Sequence, residues 1–174
     1  MDDVEASLVF HLPQREVYDA LFDFTRYHRY SDYVEDARIR GEGVGTRFAL
    51  TFAWWRLDYT VRGRVTDVDP PERIDWAVTR DVDARGYWSI EEAPEEAPSD
   101  VETATRARLH VEFDRSSART GAILGPFVSS DWVLSRILPV VEPEARRIAG
   151  RVVADVEGES RPVELTVHMT PDTL

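Results

Sequence analysis

Residues 51–60 read TFAWWRLDYT, with two tryptophans side by side and no Gly, Pro or Asn to mark a turn. Upstream, Phe48, Leu50, Phe52 and Trp54 take alternate positions, with Arg47, Ala49 and Thr51 between them. Downstream, Leu57, Tyr59, Val61 and Val65 take the opposite parity, with Asp58, Thr60, Arg62 and Arg64 between. Successive side chains on a strand point to opposite faces, so one continuous strand cannot hold both apolar sets on one side. A hairpin can. A two-residue loop at 55–56 or a four-residue loop at 54–57 pairs Phe52 with Tyr59 and Leu50 with Val61 on one face. Either loop pairs Thr51 with Thr60 on the other face. Two-residue hairpins favour positive φ, which Trp and Arg resist, whereas the four-residue form can be built on a type I turn with ordinary residues. The tryptophans then mark the hairpin tip. Trp54 closes the apolar face and Trp55 is the more exposed of the two, as lid or contact surface.

The same reasoning extends the sheet outward. DPPE, residues 69–72, reads as a second four-residue turn, pairing Val65 with Trp76 and Gly63 with Val78. Ile74, Trp76 and Val78 join the apolar face, where Gly63 would leave a gap or a bend. Strand 85–91 adds Trp88 and Ile90, and strand 103–114 adds Ala107, Leu109, Val111 and Phe113. Arg106, Arg108, His110, Glu112 and Asp114 face water. This is a meander of antiparallel strands with one apolar and one charged face.

Before the meander, 4–11 reads as a strand. A helix begins near Pro13 with Val17, Ala20, Leu21 and Phe24 on one face, and TRYHRYSDYV forms a second short helix or helical turn. Residues 34–41 form a strand ending in a turn. GEGVG follows that strand but opens another, so it is a turn and not a phosphate loop. EEAPEEAPSDVE, 91–102, reads as a solvated hairpin loop. From Ser129 the period becomes helical, with Val141, Ala145, Ile148, Val152 and Val156 along one face. Pro139 and Pro143 are expected to kink or restart this helix, and Gly158 to stop it.

Composition bounds the function. The 174 residues are 43% hydrophobic and 10% aromatic, which suits one globular domain spanning 1–174. There is no cysteine, hence no disulfide and no thiolate chemistry. The first ten residues lack a basic, apolar leader, and no apolar run approaches the ~20 residues of a membrane span. A cytoplasmic protein without a membrane span is the expectation. All 21 basic side chains are arginine, against 33 Asp+Glu, for a net charge of −12. Such a charge disfavours nucleic acid. Its self-repulsion is screened in molar salt, where the Debye length is about 3 Å, so a halophilic setting is expected.

The segments LPQREVYDALFDFTRYHRYSDYVEDARIRGEGVGTRF, PPERIDW and ARRIAGRVVADVEG, in this order, resemble the START-like, or SRPBCC, superfamily with the helix-grip fold. Within it the chain is most similar to the polyketide cyclase/dehydrase and lipid-transport branch, over roughly residues 4–158. The resemblance implies an α+β fold, a curved antiparallel sheet of about six to seven strands wrapped around a long C-terminal helix. Two short helices follow the first strand. It further implies an apolar cavity between sheet and helix for a lipid, polyketide or isoprenoid-like ligand. The branch has no shared catalytic motif to carry over.

The residues themselves agree with that restraint. His11, His28, His110 and His168 have no second ligand at a metal spacing, so no metal and no cofactor are expected. His28 is a surface histidine or reaches the cavity mouth. Pairs such as Asp81 and Asp83 or Glu91 and Glu92 read as solvated. Cavity candidates are Phe24, Tyr27, Phe52, Trp54, Tyr59, Trp76, Arg80, Trp88, Leu109, Trp132, Val141 and Ala145. The tryptophans fill core or line cavity. Tyr59 and Thr105 fall on inward parity and need polar partners. Arg80 ends an inward series or swings out to Asp81 or Asp83. The leading expectation is a non-enzymatic binder of a hydrophobic small molecule. A cyclase/dehydratase using Tyr59, Arg80 or His28 is the second, and a protein-interaction module using the Trp54/Trp55 tip is the third.

Overall fold

The architecture comes from a computed structural model that describes residues 1–54, 57–117 and 130–170, the side chains of 57, 130–135, 137 and 138 excepted. β1 (Asp2–Phe10) leads into α1 (Gln14–Phe22) and a 3-10 helix at Phe24–Arg29. The meander follows as β2 (Val34–Arg40), β3 (Arg47–Trp54), β4 (Leu57–Asp69), β5 (Arg73–Val78), β6 (Asp83–Glu92) and β7 (Thr105–Asp114). A 3-10 turn at Arg115–Ser117, the long helix α2 (Ser130–Glu157) and a short β8 (Thr166–Thr170) follow.

One curved antiparallel sheet has the order β2-β3-β4-β5-β6-β7-β1-β8. It holds eight strands, more than the six or seven expected, because 166–170 adds β8 beside β1. The hydrophobic pattern could not mark β8: four of its five side chains are exposed. The β3–β4 register is the expected one, with Phe52 opposite Tyr59, Leu50 opposite Val61 and Thr51 opposite Thr60. It continues to Trp54 opposite Leu57, so the loop is the two-residue form, not the four-residue one. Cross-strand packing carries the pairing past the point where turn preference would end it. Trp55 and Arg56 themselves lie outside the described residues.

The β4–β5 turn needs a similar correction. Gly63–Val78 and Val65–Trp76 pair as expected, but the register then shifts by one, setting Val68 opposite Ile74 and Asp69 opposite Arg73. A bulge of this kind bends the strand and lets Val65 and Val68, of opposite parity, both face inward. The Pro70–Pro71 peptide in this turn is cis. GEGVG forms the turn between β2 and β3, with Gly41, Gly43 and Gly45 all at positive φ, where side chains are disfavoured. A 3-10 turn at Pro94–Glu96 interrupts the acidic β6–β7 loop.

α2 is a single element that runs through both Pro139 and Pro143. It ends where expected: the Gly158 amide donates to the Ala154 carbonyl at 3.0 Å. The core joins α1, the sheet and the second half of α2. Phe10, Val17, Val65, Ile74, Ile90, Ala107 and Val153 are fully buried there. Each large member removed from water contributes about 1.5–3 kcal/mol.

Candidate functional site

The apolar face of the sheet is unevenly filled. The fully buried residues sit toward α1 and Ala149–Val153 of α2. Toward the β3–β4 tip the inward side chains Phe52, Trp54, Tyr59, Val61, Val78, Val111 and Phe113 are only half-buried. Between the two regions, Leu50, Trp76 and Trp88 pack against the core while staying partly open. Alternation places all of them on one side, because the pairings that join them from β3 to β7 keep matched parity, the β4–β5 bulge lying beyond the Val65–Trp76 pair.

An aromatic cluster fixes the boundary. Phe24 of the 3-10 helix stacks on Phe48 of β3 with centroids 4.9 Å apart and meets Tyr27 edge-on at 5.1 Å. Phe48 in turn meets Trp76 edge-on at 6.4 Å. Two glycines make this packing fit. A Cβ on Gly63 would lie 2.2 Å from the Phe48 ring, and one on Gly86 2.5 Å from Trp76 and 2.3 Å from the His110 carbonyl oxygen. The gap expected at Gly63 is therefore filled by Phe48. Each glycine is the seat of an aromatic ring from the neighbouring strand.

The polar groups among these rings are tied down. The Tyr27 hydroxyl donates to the Leu21 carbonyl at 2.6 Å and accepts from the Trp88 indole at 3.2 Å. Burial pushes its pKa well above the usual tyrosine value, so it stays a neutral phenol. The Thr105 hydroxyl donates to the Leu12 carbonyl at 2.7 Å, the partner its inward parity requires. Tyr59 reaches Asp81 at 3.4 Å, and burial followed by that carboxylate raises its pKa. It is a protonated donor on the half-buried stretch of the wall.

Helix α2 is clamped over the other side by polar contacts with the segment after the 3-10 helix. Buried Ser31 donates to Glu144 at 2.7 Å, and Tyr30 donates to Asp155 at 2.7 Å. Arg151 reaches the Tyr30 carbonyl at 3.2 Å and the Asp32 carboxylate. Burial first, and Asp155 second, push the Tyr30 pKa up. At the C-terminal end of α2, Glu157 accepts from the His11 amide at 2.7 Å and from Arg161 at 2.8 Å.

A family model described as "Polyketide cyclase / dehydrase and lipid transport" matches residues 1–135. The chain belongs to the polyketide cyclase/dehydrase and lipid transport family. Among curated proteins, no sequence matches this one. Solved structures share the family's fold. The Zhui aromatase/cyclase of Streptomyces sp. R1128 superposes with a TM-score of 0.66 at 21% identity, covering 90% of this chain and 94% of that one. A Thermus thermophilus protein gives a TM-score of 0.64 at 16% identity, covering 90% of this chain and 97% of that one. The di-domain ARO/CYC BexL from the BE-7585A biosynthetic pathway gives 0.58 at 15% identity, covering 92% of this chain and 50% of that one.

Placed on this family fold, the candidates of the sequence fall into groups. Phe24 is buried in the aromatic cluster, and Tyr27, Trp76 and Trp88 pack beside it. Phe52, Trp54, Tyr59 and Leu109 line the half-buried part of the inner face. Val141 and Ala145 are half-buried on α2, and Ala145 packs on the core. The Trp132 side chain lies outside the described ones. Arg80 is exposed beyond the end of β5 and does not pair with Asp81 or Asp83; it lines a groove at the β5–β6 turn with Val78 and Asp81, and a second groove on the outer face with Arg62 and Arg64. His28 is exposed, with Nδ1 2.6 Å from the Thr25 carbonyl oxygen. His110, expected in water, is half-buried and stacks on Tyr87 with centroids 5.0 Å apart. Phe48, Tyr30 and the Ser31–Glu144 contact were missing from the candidates. Phe48 was already on the inward parity, and Gly63 directly across the hairpin left the room that its ring takes.

Proposed function

We propose that this protein, as one ligand-binding domain, holds a hydrophobic small molecule between the sheet and α2. The ligand is of lipid, polyketide or isoprenoid type. One observation carries this reading. Phe52, Trp54, Tyr59, Trp76, Trp88 and Leu109 all lie on the inner face of the sheet and stay half-buried, Trp76 and Trp88 where that face meets the packed core. Binding sites for such ligands are mostly apolar walls with a few placed polar groups. Family membership supports the same ligand class. A fluorescent fatty acid titrated into the protein is expected to saturate at one per chain. Ala145→Trp, which thrusts a large ring from α2 toward the sheet, is expected to weaken binding at least tenfold while the protein remains folded. No saturable signal from the wild type, or equal affinity in the variant, overturns the reading.

A second reading is supported by Tyr59. A neutral phenol on an apolar wall can donate a proton to a ketone or to a departing hydroxyl, as a cyclase/dehydratase requires. Its carboxylate neighbour Asp81 would orient it. The structural neighbours include aromatase/cyclases. Tyr59→Phe separates the two readings. A binder keeps its affinity, whereas a cyclase loses turnover of a polyketide-like substrate without losing affinity for it.

A further inference from the structure

The outer face of the sheet carries a second feature, independent of any ligand inside. Arg40 of β2, Arg47 of β3 and Arg64 of β4 stand directly opposite one another across three strands. In the adjacent row Arg38 and Arg62 flank Ala49. The short alanine between long arginines makes a depression, and a groove of about 920 Å³ lies there, lined by these residues and Arg80, with Ile39, Phe48, Gly63 and Thr79 between them.

The charges in it are unbalanced. Elsewhere on this face Arg73 pairs with Asp75, Arg85 with Glu112, Arg106 with Glu96, and Arg108 with Glu5. The groove near β1 and β8 likewise sets Glu96 and Glu164 among Arg106, Arg108 and Arg161. Among the described residues, Arg40, Arg47, Arg62, Arg64 and Arg80 have no carboxylate within ion-pair distance, and all five line the one groove. Of the arginines lining it, Arg38 at the rim has a described partner, Asp36, at 2.6 Å. Like charges directly opposite on a sheet repel. A chain with 33 acidic residues has ample means to neutralise them, yet none of the described carboxylates lines this groove. Charge on an edge strand guards against edge-to-edge pairing, which accounts for Arg38 and Arg40 on β2. It does not account for Arg47, Arg62 and Arg64 on interior strands.

We propose that this groove binds a small molecule bearing several phosphate groups. Guanidinium forks match phosphate oxygens two at a time. Neighbouring strands are about 4.8 Å apart and successive outward residues about 7 Å, so the forks surround more than one anionic group. A compact anion fits better than an extended one. A nucleic acid or an acidic protein would have to cross the rest of a surface whose net charge is −12.

Sodium tripolyphosphate is the probe, titrated calorimetrically at constant ionic strength. The expected result is saturable binding of one per chain and a rise in Tm on binding. In the triple variant R47Q/R62Q/R64Q the affinity is expected to fall at least about tenfold, since each charge-assisted contact is worth that order. The control R85Q/R106Q removes charge from the paired half of the same face and is expected to keep wild-type affinity. Circular dichroism confirms that both variants are folded. The proposal is overturned by the absence of saturable heat with wild type, or by equal losses in both variants. It is also overturned if a short DNA duplex binds through the same arginines more tightly than tripolyphosphate.

Discussion

At the scale of single residues, the glycines in the sheet and in the helix have opposite roles. Gly63 and Gly86 accept rings from Phe48 and Trp76, and a methyl group at either would strike a neighbouring backbone oxygen as well as the ring. Gly63→Ala or Gly86→Ala is expected to destabilise by about 1–3 kcal/mol, as overpacking does. Gly150 in α2 has nothing within 4 Å of its missing Cβ. Gly150→Ala is expected to stabilise by about 0.5–1 kcal/mol through lower unfolded-state entropy. Urea titrations of the variants measure both signs. Glu157 gives a pH-dependent counterpart. Burial alone would raise its pKa, but Arg161 and the His11 amide outweigh burial and hold it below the usual carboxylate value. A lowered folded-state pKa contributes stability that is present above the unfolded value, about 4.3, and is lost as pH falls through the folded one. Glu157→Gln is therefore expected to cost about 1–3 kcal/mol at pH 7, with the difference from wild type shrinking as pH drops below about 4. An equal difference at pH 7 and pH 3 would contradict this assignment. Such contacts were not legible in the sequence. Glu157 and His11 are 146 positions apart, and no local pattern ties them.

At the scale of elements, parity was the informative signal. The change between Trp54 and Leu57 located the β3–β4 hairpin and its register, because a one-residue slip would turn every apolar side chain outward. Turn chemistry was the weaker guide, favouring the longer loop. The β4–β5 bulge had a trace too, in the switch from Val65 to Val68. β8 left none, since an edge strand with little burial needs no apolar alternation. The joint between α2 and the segment after the 3-10 helix rests on polar side chains, invisible to hydrophobic patterning. Ser31→Ala removes one hydrogen bond from the buried Glu144 carboxylate and leaves it with Arg147 at 3.3 Å. A cost of about 1–3 kcal/mol is expected. Tyr30→Phe leaves Asp155 near Arg26 and Arg29, so about 1 kcal/mol is expected there. Equal costs in denaturant titrations would show that burial of Glu144 is not what sets the strength of this joint.

At the scale of the whole molecule, the two-faced sheet and the long C-terminal helix were legible from periodicity along the chain, and the family from the resemblance of three ordered segments. The division of the inner face into a packed core and a half-buried stretch was not. Sequence parity assigns Trp76 and Phe52 to the same side but cannot say that one packs on the core and the other stands half-buried away from it. Charge acts at this scale as well. A chain at −12 with arginine as its sole basic side chain is expected to gain stability from screening. Its Tm should rise from low to molar KCl, and a flat Tm would argue against a high-salt setting. The half-buried stretch of the inner face is proposed to hold a hydrophobic guest. Native mass spectrometry of the purified protein tests it most directly, alone and after incubation with fatty acids, isoprenoids and aromatic polyketides. One bound guest per chain, released on activation, is expected with at least one of these classes. The bare mass alone across the whole panel would contradict it.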